Sequence, residues 1–119
     1  MENLLFIETG TGVDLHGQDV NVASERAVIH AIHANSMPGL KNILPDGDLN
    51  KMKVHVKLGI PLDLEKLDKE RMKNLIPYGE VTVEAVQGGM ATTSGILLED
   101  QKDKNDLMYI VNAVVEVGY

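Results

Sequence analysis

Two stretches, KMKVHVKLGIP at residues 51–61 and EVTVEAVQGG at residues 80–89, alternate apolar and polar side chains with a period of two. That pattern belongs to strands with one buried face. In the first, Met52, Val54, Val56 and Leu58 point one way and Lys51, Lys53, His55 and Lys57 the other. In the second, Val81, Val83 and Ala85 oppose Glu80, Thr82 and Glu84. Between them DLEKLDKERMKNLIPYG has a helical period. Leu64, Leu67, Met72, Leu75 and Ile76 form its apolar arc, Asp63 caps its start and Pro77 ends it. A strand, an amphipathic helix and a second strand therefore fix the middle of the chain.

The flanks complete a layered fold. NLLFIET is short, apolar and bounded by Gly10, and reads as a buried strand. NVASERAVIHAIHANSM reads as a helix of about four turns, capped by Asn21 or Ser24 and stopped by Pro38-Gly39. LMYIVNAVVEVGY is a final strand, and the loop before it has room for one short strand more. The predicted order is β-α-β-α-β-β in one α/β (α+β) domain spanning residues 1–119. Two helices cover only one face of a four-stranded mixed sheet, so the expected architecture is a two-layer sandwich. Its bare face would carry Lys51, Lys53, His55 and Lys57 beside Glu80, Thr82 and Glu84, together with Val86, Met108, Ile110 and Val114. Such a face is either solvated or, given its apolar share, an interface between subunits. The final strand is apolar on both sides, which favours a homo-oligomer.

Charge and composition narrow the partners. The net charge is −7 and the eleven basic residues form no block, which argues against nucleic acid and an anionic membrane. With 3% aromatic residues there is little to stack on bases. No apolar run approaches the length that spans a bilayer, and the start MENLLFIETG lacks the features of an export signal. The expected location is the cytoplasm. There is no cysteine, so disulfides, thiolate metal sites and cysteine nucleophiles are excluded.

The segment with the most chemistry is ETGTGVDLHGQDV, Glu8 to Val20. It is no dinucleotide fingerprint, because Leu15 stands where the third glycine would be, and it lacks a P-loop lysine. Asp14 and His16, two apart in an extended segment, point to one side. Gly10, Gly12 and Gly17 let a ligand or a subunit come close. His30 and His33 are neighbours on the following helix, roughly 5–6 Å apart at Cβ. A helix strip of Ala23, Ala27, Ala31 and Ala34 also admits another backbone. One Asp and two His with an open position make a catalytic shell for zinc or another divalent metal. The plainer alternative is a turn in which Asp14 bonds nearby amides. In QGGMATTSG, Thr92, Thr93 and Ser94 offer hydroxyls and amides to an anion, or the loop simply joins two strands.

GTGVDLHG, Gly10 to Gly17, fits the pattern G-x-G-x-D-x-H-G. It resembles the hallmark of a family of conserved hypothetical proteins found in bacteria and plants, and the likeness covers the whole chain. The resemblance implies a functional loop without naming its chemistry. A weaker likeness is to the active site of 2-C-methyl-D-erythritol 2,4-cyclodiphosphate synthase. That family too has a glycine-flanked D-x-H and a metal-binding His in a helix. Asp14 and His16 match the first, and AVIHAIHAN places His30 in the second. LPDGD, Leu44 to Asp48, is similar to the acidic turn after that helix, and MATTSG to a Thr-rich stretch beside the family's phosphates. The chain is shorter than that family and has no cytidine-binding segment, so the resemblance implies a metal triad and no substrate.

Two functions follow as expectations. One is a metal-dependent lyase or hydrolase acting on a small polar or phosphorylated metabolite. Asp14, His16 and His30 would hold zinc or manganese, and His33 or Glu8 would act as acid and base. The other is a non-catalytic ligand-binding or regulatory homo-oligomer with the glycine loop at a subunit interface.

Overall fold

The computed structural model describes residues 1–119. Five strands form one sheet: β1 (Leu4–Asp14), β2 (Lys53–Ile60), β3 (Glu80–Gln87), β4 (Met90–Thr93) and β5 (Leu107–Gly118). Three helices accompany them: α1 (Val20–His33), the single turn α2 (Leu40–Ile43) and α3 (Lys69–Lys73). The strand order is β1-β5-β2-β3, with β4 also paired to β5. β2 and β3 run parallel, and every other pairing is antiparallel. The expected two-layer α/β sandwich with a mixed sheet is therefore the fold, with β4 added as the short strand for which the loop left room. No helix is long and apolar enough to cross a membrane.

Alternation sets the register. Val54, Val56, Leu58 and Ile60 of β2, and Tyr109, Val111, Ala113, Val115 and Val117 of β5, are buried on the face that carries the helices. The other face has no covering layer. There Lys53 stands beside Glu80, His55 beside Thr82 and Lys57 beside Glu84, so the two charged columns are neighbours. A step at Gly88-Gly89 carries the chain from β3 across the end of β2, and β4 continues along β5 where β2 stops. The crossing is tight: a Cβ on Gly88 would sit 3.1 Å from the Gly59 Cα. Gly89 also has φ +63, a conformation few other residues adopt.

Three boundaries differ from expectation, each for a physical reason. β1 does not stop at Gly10 but runs to Asp14, paired with β5 throughout. Its inward positions are Glu8, Gly10, Gly12 and Asp14, all buried. Those two glycines lie directly under α1, whose Ala23, Ala27 and Ala31 are fully buried. A Cβ on Gly10 would lie 2.5 Å from the Ala31 nitrogen, and one on Gly12 would strike the backbone of Ala23 and Ala27. The alanine strip thus faces the chain's own sheet. Second, α1 is capped by Asp19, whose side chain accepts from the Asn21 and Val22 amides. Third, the single helix expected over residues 63–79 is a 3₁₀ turn at Leu64–Lys66 followed by α3. Asp68 is the cap of α3, accepting from the Arg71 amide. Asn21 of α1 bonds the Lys66 carbonyl and the Asp68 amide, which takes both groups out of any continuous helix. Asp63 adopts the left-handed conformation, and its carboxylate accepts from the buried Tyr109 hydroxyl. The apolar arc survives the break: Met72 is fully buried, and Leu64, Leu67, Leu75 and Ile76 are partly buried against the core.

Replacing Gly12 with Ala forces α1 off the sheet and should cost about 2–3 kcal/mol in urea unfolding. Gly39→Ala, where nothing lies within 4 Å of the added carbon, should stay within about 0.5 kcal/mol of the parent. Equal effects from the two substitutions would contradict the packing described.

Candidate functional site

β1 is the edge strand, and close docking of α1 brings helix side chains to its free edge. The Thr11 amide donates to His30 Nδ1 at 2.9 Å, and Arg26 donates to the Val13 carbonyl at 2.6 Å. His30 is therefore neutral in this arrangement, with its proton on Nε2. These bonds occupy edge groups that would otherwise offer a pairing surface to another strand. His33, the last residue of α1, is exposed.

At the C-terminal end of β1, Asp14 is buried and makes a joint. Its Oδ2 accepts from the Asp19 amide at 2.9 Å, and Arg26 lies 3.7 Å from its Oδ1. The carboxylate thus ties the strand's end to the cap of α1. The loop that follows has two successive left-handed residues, Gly17 at φ +96 and Gln18 at φ +46. Both are held by Asp103 from the long connection before β5. Asp103 accepts from the Gly17 amide at 2.6 Å, from Gln18 Nε2 at 3.1 Å and from the Leu98 amide at 2.8 Å. His16 Nδ1 lies 2.7 Å from Asp103 Oδ2, the oxygen that also takes the Leu98 amide. An ionised carboxylate only accepts, so His16 carries its proton on Nδ1 and leaves Nε2 free. Gln18 extends the lock, donating to the Leu107 carbonyl at 2.7 Å and accepting from the Lys104 amide at 2.9 Å.

The Asp103 side chain is fully inaccessible. Burial alone pushes its carboxyl up, but the bonds from Leu98, Gly17, His16 and Gln18 outweigh that and bring it from an ordinary 3.8 to about 2. Asp103 and Gln18 are the residues that sequence reasoning missed. Asp103 lies in EDQKDKND among acids of the same type, and nothing local distinguishes it.

The expected metal ligands are thus held in separate arrangements: Asp14 by the Asp19 amide, His16 by Asp103, and His30 by Thr11. No three His, Asp or Glu side chains form a group that could hold an ion within the chain. Of the two histidines only His16 has its Nε2 open to a metal, since His30 Nδ1 accepts from Thr11 and its Nε2 carries the proton. Gly10 and Gly12, proposed as ligand-approach glycines, are filled by α1. Gly17 serves the lock. In the Thr-rich segment, Thr93 donates to Asp106 at 2.6 Å, and Ser94 donates to the carbonyls of Ile96 and Asp106. Thr92 lies on β4, opposite Met108.

Glu8 stands apart from these networks. It is 6% exposed and lines a cavity of about 180 Å³ between the end of α1 and the sheet. Ile32, Met37, Leu40, Leu75 and Val115 are among the apolar residues of its wall. Asn35 donates to Glu8 Oε2 at 3.1 Å. A second, larger cavity of about 460 Å³ lies over the charged end of the bare face, lined by Lys53, His55, Glu80, Thr82 and Glu116 among others. Beside it His55 bridges Thr82 at 2.7 Å and Glu84 at 3.0 Å. The His55 bond, with Lys57 nearby, holds the Glu84 carboxyl below its usual range.

Residues 4–117 match the family described as "Conserved hypothetical protein (Lin0512_fam)". A crystal structure from Nostoc punctiforme, described as an FtsZ-like protein of unknown function, is 33% identical with a TM-score of 0.82. That match covers 98% of this chain and 96% of the other. No curated protein matches the chain.

The low Asp103 value carries a sign. A folded-state pKa below the unfolded one gives stability that is present above about pH 4 and lost as pH falls toward 2. Asp103→Asn should therefore lower the melting temperature at neutral pH, and the gap to the parent should close between about pH 4 and pH 2. A gap that stays constant over that range would show that the carboxylate does not hold the loop.

Proposed function

The chain belongs to the Lin0512_fam family of conserved hypothetical proteins, and on that premise we propose that it is a non-catalytic, ligand-binding homo-oligomer assembled through its bare sheet face. The observation that carries the assembly is the layout of that face. Along the strands it divides into a charged end and an apolar end. Lys53, His55 and Lys57 lie beside Glu80, Thr82 and Glu84 at one. Val13, Val86, Met90, Met108 and Ile110 gather at the other, with Met90 opposite Ile110. Met90 is 58% exposed.

A basic column next to an acidic one is complementary to itself. When a second copy is turned about a twofold axis that lies in the interface and runs parallel to the strands between β2 and β3, its lysines lie over the first copy's glutamates. The same rotation sets one apolar end on the other, an isologous contact of the commonest kind. Sheets stack about 10 Å apart, which leaves room for Met90 of each copy to pack on Val86 of the other. The charges at the opposite end act mainly on register and on excluding wrong partners.

Support for the non-catalytic reading comes from how the candidate catalytic groups are used. Asp14, His16 and His30 each hold backbone or an opposing carboxylate in place. They close the edge of β1 and lock two loops together. Asp14 and His30, committed in this way to backbone amides, are poor candidates for moving protons.

Sizing with light scattering is the direct test. The monomer is 13.0 kDa, and the reading predicts a larger mass at micromolar concentration. Met90→Glu should bring that mass down to the monomer's, while Ile96→Glu, which changes an exposed side chain away from the sheet, should leave the assembly intact. A monomer at all concentrations would overturn the proposal.

A further inference from the structure

The face of the sheet opposite the bare one holds the Glu8 cavity, and its composition identifies a ligand class. Glu8 is buried, on the inward side of β1, between residues that are otherwise glycine or apolar. Nine of the twelve residues around the cavity are hydrophobic. No Lys, Arg or His pairs with the Glu8 carboxylate. Its one side-chain partner is Asn35, an exposed residue just beyond α1. Its other oxygen has no partner in the protein, and the chain supplies no cation to the carboxylate.

We propose that this cavity binds a small amphiphilic organic cation, with an ammonium or amidinium group on Glu8 and a short alkyl chain or single ring among Ile32, Met37, Leu40, Leu75 and Val115. Charge decides the head group: a carboxylate with free lone pairs recognises an N–H cation most strongly through charge-assisted bonds. Asn35 fixes Oε2, which leaves Oε1 for the ligand. Volume decides the body. At about 180 Å³ the cavity is close to the apolar voids of about 150 Å³ that hold benzene. Met37 and Met52 line the wall, and their flexible thioethers adapt to differing chain lengths. This inference deepens the ligand-binding half of the proposed function and is independent of assembly, since the cavity lies on the other side of the sheet.

The test uses the full chain with ¹³C-methyl methionine, titrated at neutral pH with n-pentylamine and, separately, n-pentanol. Of the six methionines, Met37 and Met52 report on the cavity, and Met90 and Met108 on the bare face. The proposal predicts saturable shifts of Met37 and Met52 with the amine, still Met90 and Met108, and at least tenfold weaker binding of the alcohol. Glu8→Gln should make the amine and the alcohol bind alike. Met37→Trp, which fills the cavity and keeps the carboxylate, should abolish both. Equal binding of amine and alcohol by the parent protein, or no shift at Met37 and Met52, would overturn the proposal. A large mass on sizing alongside that result would leave the assembly standing by itself, so the two failures are distinct.

Discussion

The contact on which the rest of the structure depends is between two pieces of backbone. Gly10 and Gly12 of β1 meet Ala23, Ala27 and Ala31 of α1 with no side chain larger than a methyl group between them. Helices normally sit about 10 Å from a sheet because side chains fill the gap. Here the gap is absent on the β1 side, and Val28, Val111, Ala113 and Val115 make the core beside it. Close docking has a consequence at the sheet's edge. It brings Arg26 and His30, one helical turn apart, within reach of the Val13 carbonyl and the Thr11 amide. An edge strand that could template the growth of a sheet is shielded by the helix that covers it. Asp14 then turns the chain into α1, and Asp103 fastens that turn to the connection before β5.

Much of this was legible in the sequence. The alternation in residues 51–61 and 80–89 gave both strands, their buried faces and the charged columns of the bare face, because alternation reports directly which side meets the core. The long apolar run at the end of the chain gave β5. What misled was β1. Its buried positions after Phe6 are Glu8, Gly10, Gly12 and Asp14, and none of them is apolar. Hydrophobic periodicity is blind to a strand whose inner face is filled by a helix backbone. The alanine strip of α1 was visible as a surface for close approach, but pattern alone could not say that the approaching backbone was the preceding strand. The second helix was over-read for a related reason: its apolar arc is real, yet Asn21, distant in sequence, takes the backbone groups that would have continued it.

The candidate site was legible in position more than in role. Asp14, His16 and His30 each sit in an arrangement of their own, and the close approach that Gly10 and Gly12 permit is that of α1. Each of those side chains has a hydrogen-bond partner within the chain. Asp103, Gln18 and Asn35 had no sequence signal, since an acid or amide in a polar loop gains its importance only from what the fold brings to it. Glu8 is the reverse case. It was noticed as an acid near a glycine loop, and its significance lies in an apolar cavity built by residues from α1, β2, β5 and the segment after α3.

Loop and strand make opposite demands on the amides of residues 8–14, so native-state hydrogen exchange tests the account most directly. With α1 docked on glycine backbone, the amides of Gly10 and Gly12 should exchange only with global unfolding, at the same free energy as Ala27 and Ala31. The Thr11 amide, though on an edge strand, should be protected as well, and His30→Ala should expose it while leaving Gly10 and Gly12 slow. Rapid exchange at Gly10 and Gly12 in the folded protein, as a mobile ligand-binding loop would show, would contradict the account.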